Sequence, residues 1–256
     1  MNLSKNKIKY IQSLKDKKSR DEHGVFVVEG DKMVSELIGI VKCKLLVATP
    51  DFIRTNKIHD NDIEEVLEVS KLELSKASFL KNPQQALGVF YQPHYTLSTN
   101  ELKKQLVLAL DCIQDPGNLG TIIRLADWYG VENIICSMDT VDVYNPKVVQ
   151  ATMGAFVRVK VHYVDLYEYL KHLPGVLPIY GTFLDGKNMY QQELSETGII
   201  VMGNEGNGIG SQIETLITNK LFIPNYPQER ATSESLNVAI ATAIICTEFR
   251  RRLQKQ

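Results

Sequence analysis

Three short segments after strand ends concentrate the glycine, amide and polar residues that could hold a small ligand. The first is DCIQDPGNLGTIIRLADWYG at 111–130. Here Asn118 is expected to cap a helix after the Pro116-Gly117 turn, and Gly120 lets the backbone come close to another group. Arg124 follows Asn118 by six residues and emerges on nearly the opposite side of that helix. The second is GNEGNGIG at 203–210, whose glycines Gly203, Gly206, Gly208 and Gly210 resemble a phosphate cradle. It lacks the Lys-Ser/Thr pair of a Walker loop and the glycine order of a dinucleotide fingerprint. Glu205 would repel a phosphate, so the loop should meet a cationic or neutral ligand. The third, IPNYPQERATSESLNV at 223–238, should open a helix capped by Ser233 or Ser235, with Glu234 in its first turn.

The elements around these segments are legible from hydrophobic periodicity. Near-continuous apolar runs at 105–111, 133–136, 158–164, 178–183, 198–203 and 219–223 read as buried strands. Helical patterns fall at about 118–129, 146–154, 165–172, 208–218 and 233–253. Alternation of this kind predicts an α/β domain whose parallel sheet is covered on both faces, with ligands outside the carboxyl ends of its strands. Upstream, shorter runs at 25–30, 44–49, 64–70 and 86–92, with helices at 31–40 and 71–80, make a smaller α/β unit. The polar stretch around 94–100 marks the junction, so the domains are expected at 1–95 and 105–256, with a linker at 96–104.

Each motif alone fits an ordinary capped helix or tight turn. Taken in this order, each after a strand, they resemble the three motifs of the SpoU (TrmH-type) RNA 2′-O-ribose methyltransferases of the SPOUT class. The likeness rests on Asn118-Leu119-Gly120-Thr121-Ile122-Ile123-Arg124, on Gly203-Asn204-Glu205-Gly206-Asn207-Gly208, and on Ile223-Pro224 followed by Glu234-Ser235-Leu236-Asn237-Val238. It covers 105–253, and residues 5–92 look like the L30e-like substrate-binding domain that often precedes it, with Asn82-Pro83-Gln84 as its marker. The resemblance implies a sheet whose end is tied in a trefoil knot and a homodimer joined through the carboxy-terminal helices. It further implies S-adenosylmethionine held by Thr182, Gly203, Ile223, Ser235 and Leu236, and Arg124, Asn118, Glu205, Ser235 and Asn237 as the catalytic set. Methyl transfer to a ribose 2′-hydroxyl of RNA follows, with ribosomal RNA favoured over tRNA because of the amino-terminal domain.

Charge is unevenly spread. The first twenty residues carry Lys5, Lys7, Lys9, Lys15, Lys17, Lys18 and Arg20 against Asp16 alone, so a basic helix is expected to offer Lys5, Lys9, Lys17 and Arg20 to RNA, in addition to Arg124. The net charge of the 256 residues is nevertheless -1, which excludes a uniformly basic coat. Cys43, Cys112, Cys136 and Cys246 show no metal-ligand spacing and read as reduced thiols, so no metal is expected. With neither a signal-like start nor an 18-residue apolar run, the expected setting is the cytoplasm, away from membranes. Two rival readings fit the sequence less well: a Rossmann-type nucleotide enzyme, for which the acidic residue after a proper fingerprint is missing, and a non-catalytic RNA-binding protein, which need not retain Asn118, Arg124, Glu205 and Asn237.

Overall fold

The computed structural model describes residues 3–56, 58, 63–173, 175, 177–227 and 235–253. Two compact units result, one of residues up to His94 together with Asp142–Val157, the other of Tyr95–Val141 with Arg158 onward. In chain order the helices are α1 (Lys5–Ser13), α2 (Lys17–His23), α3 (Asp31–Leu37), α4 (Pro50–Asn56), α5 (Lys71–Ala77), α6 (Thr99–Leu102), α7 (Pro116–Trp128), α8 (Pro146–Thr152), α9 (Leu166–Lys171), α10 (Ser211–Glu214) and α11 (Val238–Leu253). The strands are β1 (Val25–Glu29), β2 (Cys43–Ala48), β3 (Val66–Glu68), β4 (Ala86–Tyr91), β5 (Leu106–Leu110), β6 (Asn133–Ser137), β7 (Lys160–Val164), β8 (Ile179–Asn188), β9 (Gly198–Met202) and β10 (Asn219–Phe222).

The amino-terminal unit is built on a four-stranded mixed sheet in the order β1-β4-β2-β3. Alternate residues Val25, Val27, Leu45, Val47, Leu87 and Val89 pack on Ile11 and Leu14 and on Leu74 and Ala77 of α5. The basic segment is two helices rather than one. Arg20 explains the break: its Nη1 donates to the carbonyls of Leu14 and Lys15 at 2.9 and 2.6 Å, where α1 has ended. The same guanidinium pairs with Asp142 at 2.6 Å and is 1% exposed. Arg20 is thereby spent inside the unit, which corrects its expected place on an RNA-facing surface. Residues 142–157 extend this unit although they stand inside the second stretch of sequence; Phe26 stacks on Tyr144 with ring centroids 4.8 Å apart and meets Phe156 edge-on at 5.5 Å.

The second unit carries a six-stranded sheet in the order β10-β8-β9-β5-β6-β7, every neighbouring pair parallel. β5, β6 and β9 are buried at every position, as near-continuous apolar runs require. The order reverses between β5 and β9: one half of the sheet grows outward through β6 and β7, the other through β8 and β10. This switch point is where a crevice opens beyond the strand ends. Two elements differ from the expectation. The helix expected at 208–218 is only the short α10, and β8 runs to Asn188 because its pairing with β10 skips from Gly181 to Lys187. Residues 182–186 therefore swing out of the sheet above that crevice. Gly186 makes the return possible, since a Cβ there would lie 2.6 Å from the Leu221 carbonyl carbon.

Candidate active site

At the carboxyl end of β5 the chain turns through Cys112, a non-glycine residue at φ 58°, a conformation that L side chains seldom adopt. Two contacts hold it there. Its N–H donates to Ser137 Oγ at 2.9 Å, and its carbonyl accepts from Asn204 Nδ2 at 2.8 Å. Asp115, not Asn118, then caps α7, accepting from the Asn118 N–H at 2.8 Å, with Pro116 at the first helical position where its missing donor costs nothing. The expected cap role of Asn118 is thus corrected. Its side chain, freed of capping, donates to Glu205 Oε1 at 2.5 Å and accepts from Asn237 Nδ2 at 3.0 Å. One carboxamide in the first segment therefore ties in both of the others.

The loop after β9 is shaped by its glycines and by Asn204. A Cβ on Gly203 would sit 2.3–2.5 Å from the backbone of Gly208 and Ile209, so the loop closes on itself only because that atom is missing. Asn204 Oδ1 accepts from the Gly206 and Asn207 N–H groups at 2.9 and 3.1 Å, and Asp111 Oδ2 takes the Gly210 N–H at 2.7 Å. The third segment enters α11 through Asn237, whose Oδ1 accepts from the Ala239 and Ile240 N–H groups at 3.0 and 3.3 Å. That role had been expected of Ser233 or Ser235; Ser233 and Glu234 lie outside the described residues.

Between these loops lies a cavity of about 610 Å³. Thr182, Gly203, Ile223, Ser235 and Leu236 all line it, with Glu205 at the same wall. Sequence reasoning missed Phe183 and Leu184, which reach the cavity on the 182–186 excursion, and the anchors Asn204 and Asp111. Asn204 stood in the quoted motif and Asp111 at a strand end, the signals that could have singled them out. Apolar walls, close backbone and an acid at the rim suit a neutral or cationic ligand with a flat ring.

Arg124 is exposed on α7 and has no hydrogen bond or ion pair among the described residues. The other clustered arginines are spent. Arg250 donates to the Tyr129 and Gly130 carbonyls at the end of α7, while Arg251 and Arg252 hold Glu248, whose carboxyl they pull down to about 2 against the burial that would raise it. Burial pushes the Cys43 and Cys246 thiols up to about 12, and Cys112 and Cys136 upward as well; all four are free. Among the described residues no group of His, Cys, Asp and Glu could hold a metal, and no helix is long and apolar enough to cross a membrane.

Comparison with known proteins matches residues 105–247 to the SpoU rRNA Methylase family and residues 5–88 to the MRM3-like substrate binding domain. The chain belongs to the SpoU rRNA methylase family. Across 95% of its length it is 32% identical to the 23S rRNA (guanosine(2553)-2′-O)-methyltransferase RlmP of Bacillus subtilis, covering 96% of that protein. Among solved structures it resembles a TrmH-family protein from Porphyromonas gingivalis at a TM-score of 0.87 and 39% identity, covering 98% of this chain and 100% of that one. It also matches the AdoMet-bound rRNA methyltransferase of Sinorhizobium meliloti at a TM-score of 0.85 and 30% identity, covering 99% of this chain and 97% of that one. The family assignment agrees with the resemblance read from the sequence, and the matched stretch 105–247 contains all three converging segments.

Proposed function

We propose that this SpoU-family protein transfers a methyl group from S-adenosylmethionine to a ribose 2′-hydroxyl of ribosomal RNA. The observation that carries the reading is the Glu205–Asn118–Asn237 chain of hydrogen bonds at the mouth of the 610 Å³ cavity, with an unpaired arginine on the same helix. S-Adenosylmethionine supplies the methyl group on a cationic sulfonium. Thr182, Gly203, Ile223, Ser235 and Leu236, which line the cavity, would hold it, and Glu205 would place negative charge at the rim.

A ribose hydroxyl is a weak nucleophile until its proton leaves. Arg124 is not the base, because guanidinium keeps its proton at any working pH. It grips a phosphate of the RNA and stabilises the alkoxide developing on O2′, which lowers the barrier to losing the proton to water or phosphate. Asn118 and Glu205 position the loops; Ser235 and Asn237 line the path of transfer. Lys5 and Lys9 on α1 and Lys17 on α2, all exposed, add phosphate contacts, Lys17 sharing its charge with Asp21.

The same reading includes a trefoil knot in the carboxy-terminal unit, a cytoplasmic setting, and a homodimer. Trp128 on α7 is 84% exposed and Ile240 on α11 is 53% exposed, apolar area that a second copy would cover. α7 and α11 lie side by side, with Tyr129 Oη just past the end of α7 hydrogen-bonded to Thr247 Oγ1 of α11 at 2.6 Å. In such a dimer the exposed Arg124 would serve a site completed by both copies. Incubating the protein with isotope-labelled S-adenosylmethionine and unmodified 23S rRNA transcript should place label on one ribose, read by mass spectrometry of nuclease digests. Label on a base, or none on RNA, would refute the assignment.

A further inference from the structure

The amino-terminal unit holds its own cavity of about 350 Å³, within the roughly 300–1,000 Å³ that small-ligand sites occupy. Val27 and Glu29 of β1, Phe79 and Leu80, and Pro146 and Val149 of α8 line it, all within that unit. β1 is an edge strand. The Gly30 N–H donates to the Ala86 carbonyl and the Gln92 N–H to the Gly24 carbonyl. In the antiparallel alternation Phe26 and Val28 then face β4, and the N–H and C=O of Val27 point away from the sheet. Val27 is 2% exposed, and the alternation leaves its N–H and C=O without a β4 partner.

The rest of the lining defines what that partner is. Phe79 supplies an aromatic wall, fixed by its N–H donating to Glu29 Oε1 at 2.8 Å, while Glu29 also takes the Ser78 hydroxyl. Lys15 Nζ lies 5.0 Å from the Phe79 ring centre, and Lys147 stands exposed at the rim. Burial pushes the Glu29 carboxyl above its usual range, which weakens its repulsion of a phosphate chain. An apolar slot with one aromatic wall, a backbone donor and acceptor turned away from the sheet beside it and lysines at its rim has the chemistry of a single-stranded nucleotide site. We propose that this cavity receives an unstacked base of the RNA substrate, from a nucleotide other than the one methylated. The proposal rests on the RNA-methyltransferase reading and names a part of its substrate recognition.

The test fills the slot. Ala151→Phe, a substitution at the cavity wall, should raise KM for 23S rRNA transcript about tenfold, the loss of one stacked base. It should leave kcat within about twofold and the S-adenosylmethionine Kd unchanged. In the unaltered protein, methyl-group NMR signals of Val27, Leu80 and Val149 should shift when a fragment of that RNA is added, a result that does not depend on whether the variant folds. An unchanged KM in an A151F protein of normal melting temperature, or unmoved methyl signals, would overturn the proposal. Absence of methyl transfer by the unaltered protein would instead strike the enzymatic reading, and the NMR signals would still decide the cavity.

Discussion

In the amino-terminal unit Glu29 is 6% exposed and spends both oxygens on Ser78 and Phe79, and Arg20 spends its guanidinium on Leu14, Lys15 and Asp142. In the catalytic unit Glu205 is half-buried and takes an amide proton from Asn118, while Arg124 is exposed and unpaired. Both units thus use a carboxylate to join loops, and both carry an arginine that looks functional in sequence. The difference is in the partners. Buried charges satisfied largely by backbone groups hold the fold, because removing one leaves the other desolvated. Side-chain amides linked to a carboxylate that lines a cavity join loops distant in sequence, and the arginine on the same helix stays unpaired among the described residues.

Substitution should separate these two kinds of arginine. Arg124→Ala should cut methyl transfer by about a thousandfold, the upper range for losing one stabilising donor, with the melting temperature unchanged; a loss of under tenfold would remove Arg124 from the chemistry. Arg20→Ala should do the opposite, lowering stability by about 3 kcal/mol in denaturant unfolding because Asp142 is left unpaired, with RNA affinity of the folded fraction intact. Glu248→Gln should cost about 2 kcal/mol near neutral pH. Glu248 titrates at about 2 rather than 4.5, so its contribution is full above 4.5 and fades as pH falls toward 2. The variant's deficit in pH-dependent unfolding should fade over that same window. Lys5→Ala with Lys9→Ala should be mildest: unchanged stability, RNA binding weakened severalfold at low salt, and a salt slope shallower by about 0.7–0.9 per lost phosphate contact.

Much of this architecture could be read from residues alone. The parallel sheet was legible because strands buried on both faces leave continuous apolar runs, as in β5 and β9. The convergence of the three segments was legible because each follows a strand that the topology brings to one switch point. What escaped depends on partners distant in sequence. Arg20 reads as one more cation in a basic run until Asp142, 122 residues later, is seen beside it. Asn118 fits a cap by local rules, yet Asp115 wins that position and leaves the amide for Glu205 and Asn237. Asn237 likewise takes over the cap of α11. The excursion of β8 at 182–186 was hidden because its cause is the register with β10, not a turn signal.

Asn118 joins the three segments through Glu205 and Asn237, and a double-mutant cycle on Asn118 and Glu205 probes that union. Single-turnover methyl transfer would be measured for Asn118→Ala, Glu205→Ala and the double variant, with S-adenosylmethionine affinity determined for each. Groups acting as one unit lose nearly as much singly as together; the account predicts that the double variant is no slower than the slower single variant by more than about threefold. Rate losses that multiply across the two sites would contradict it.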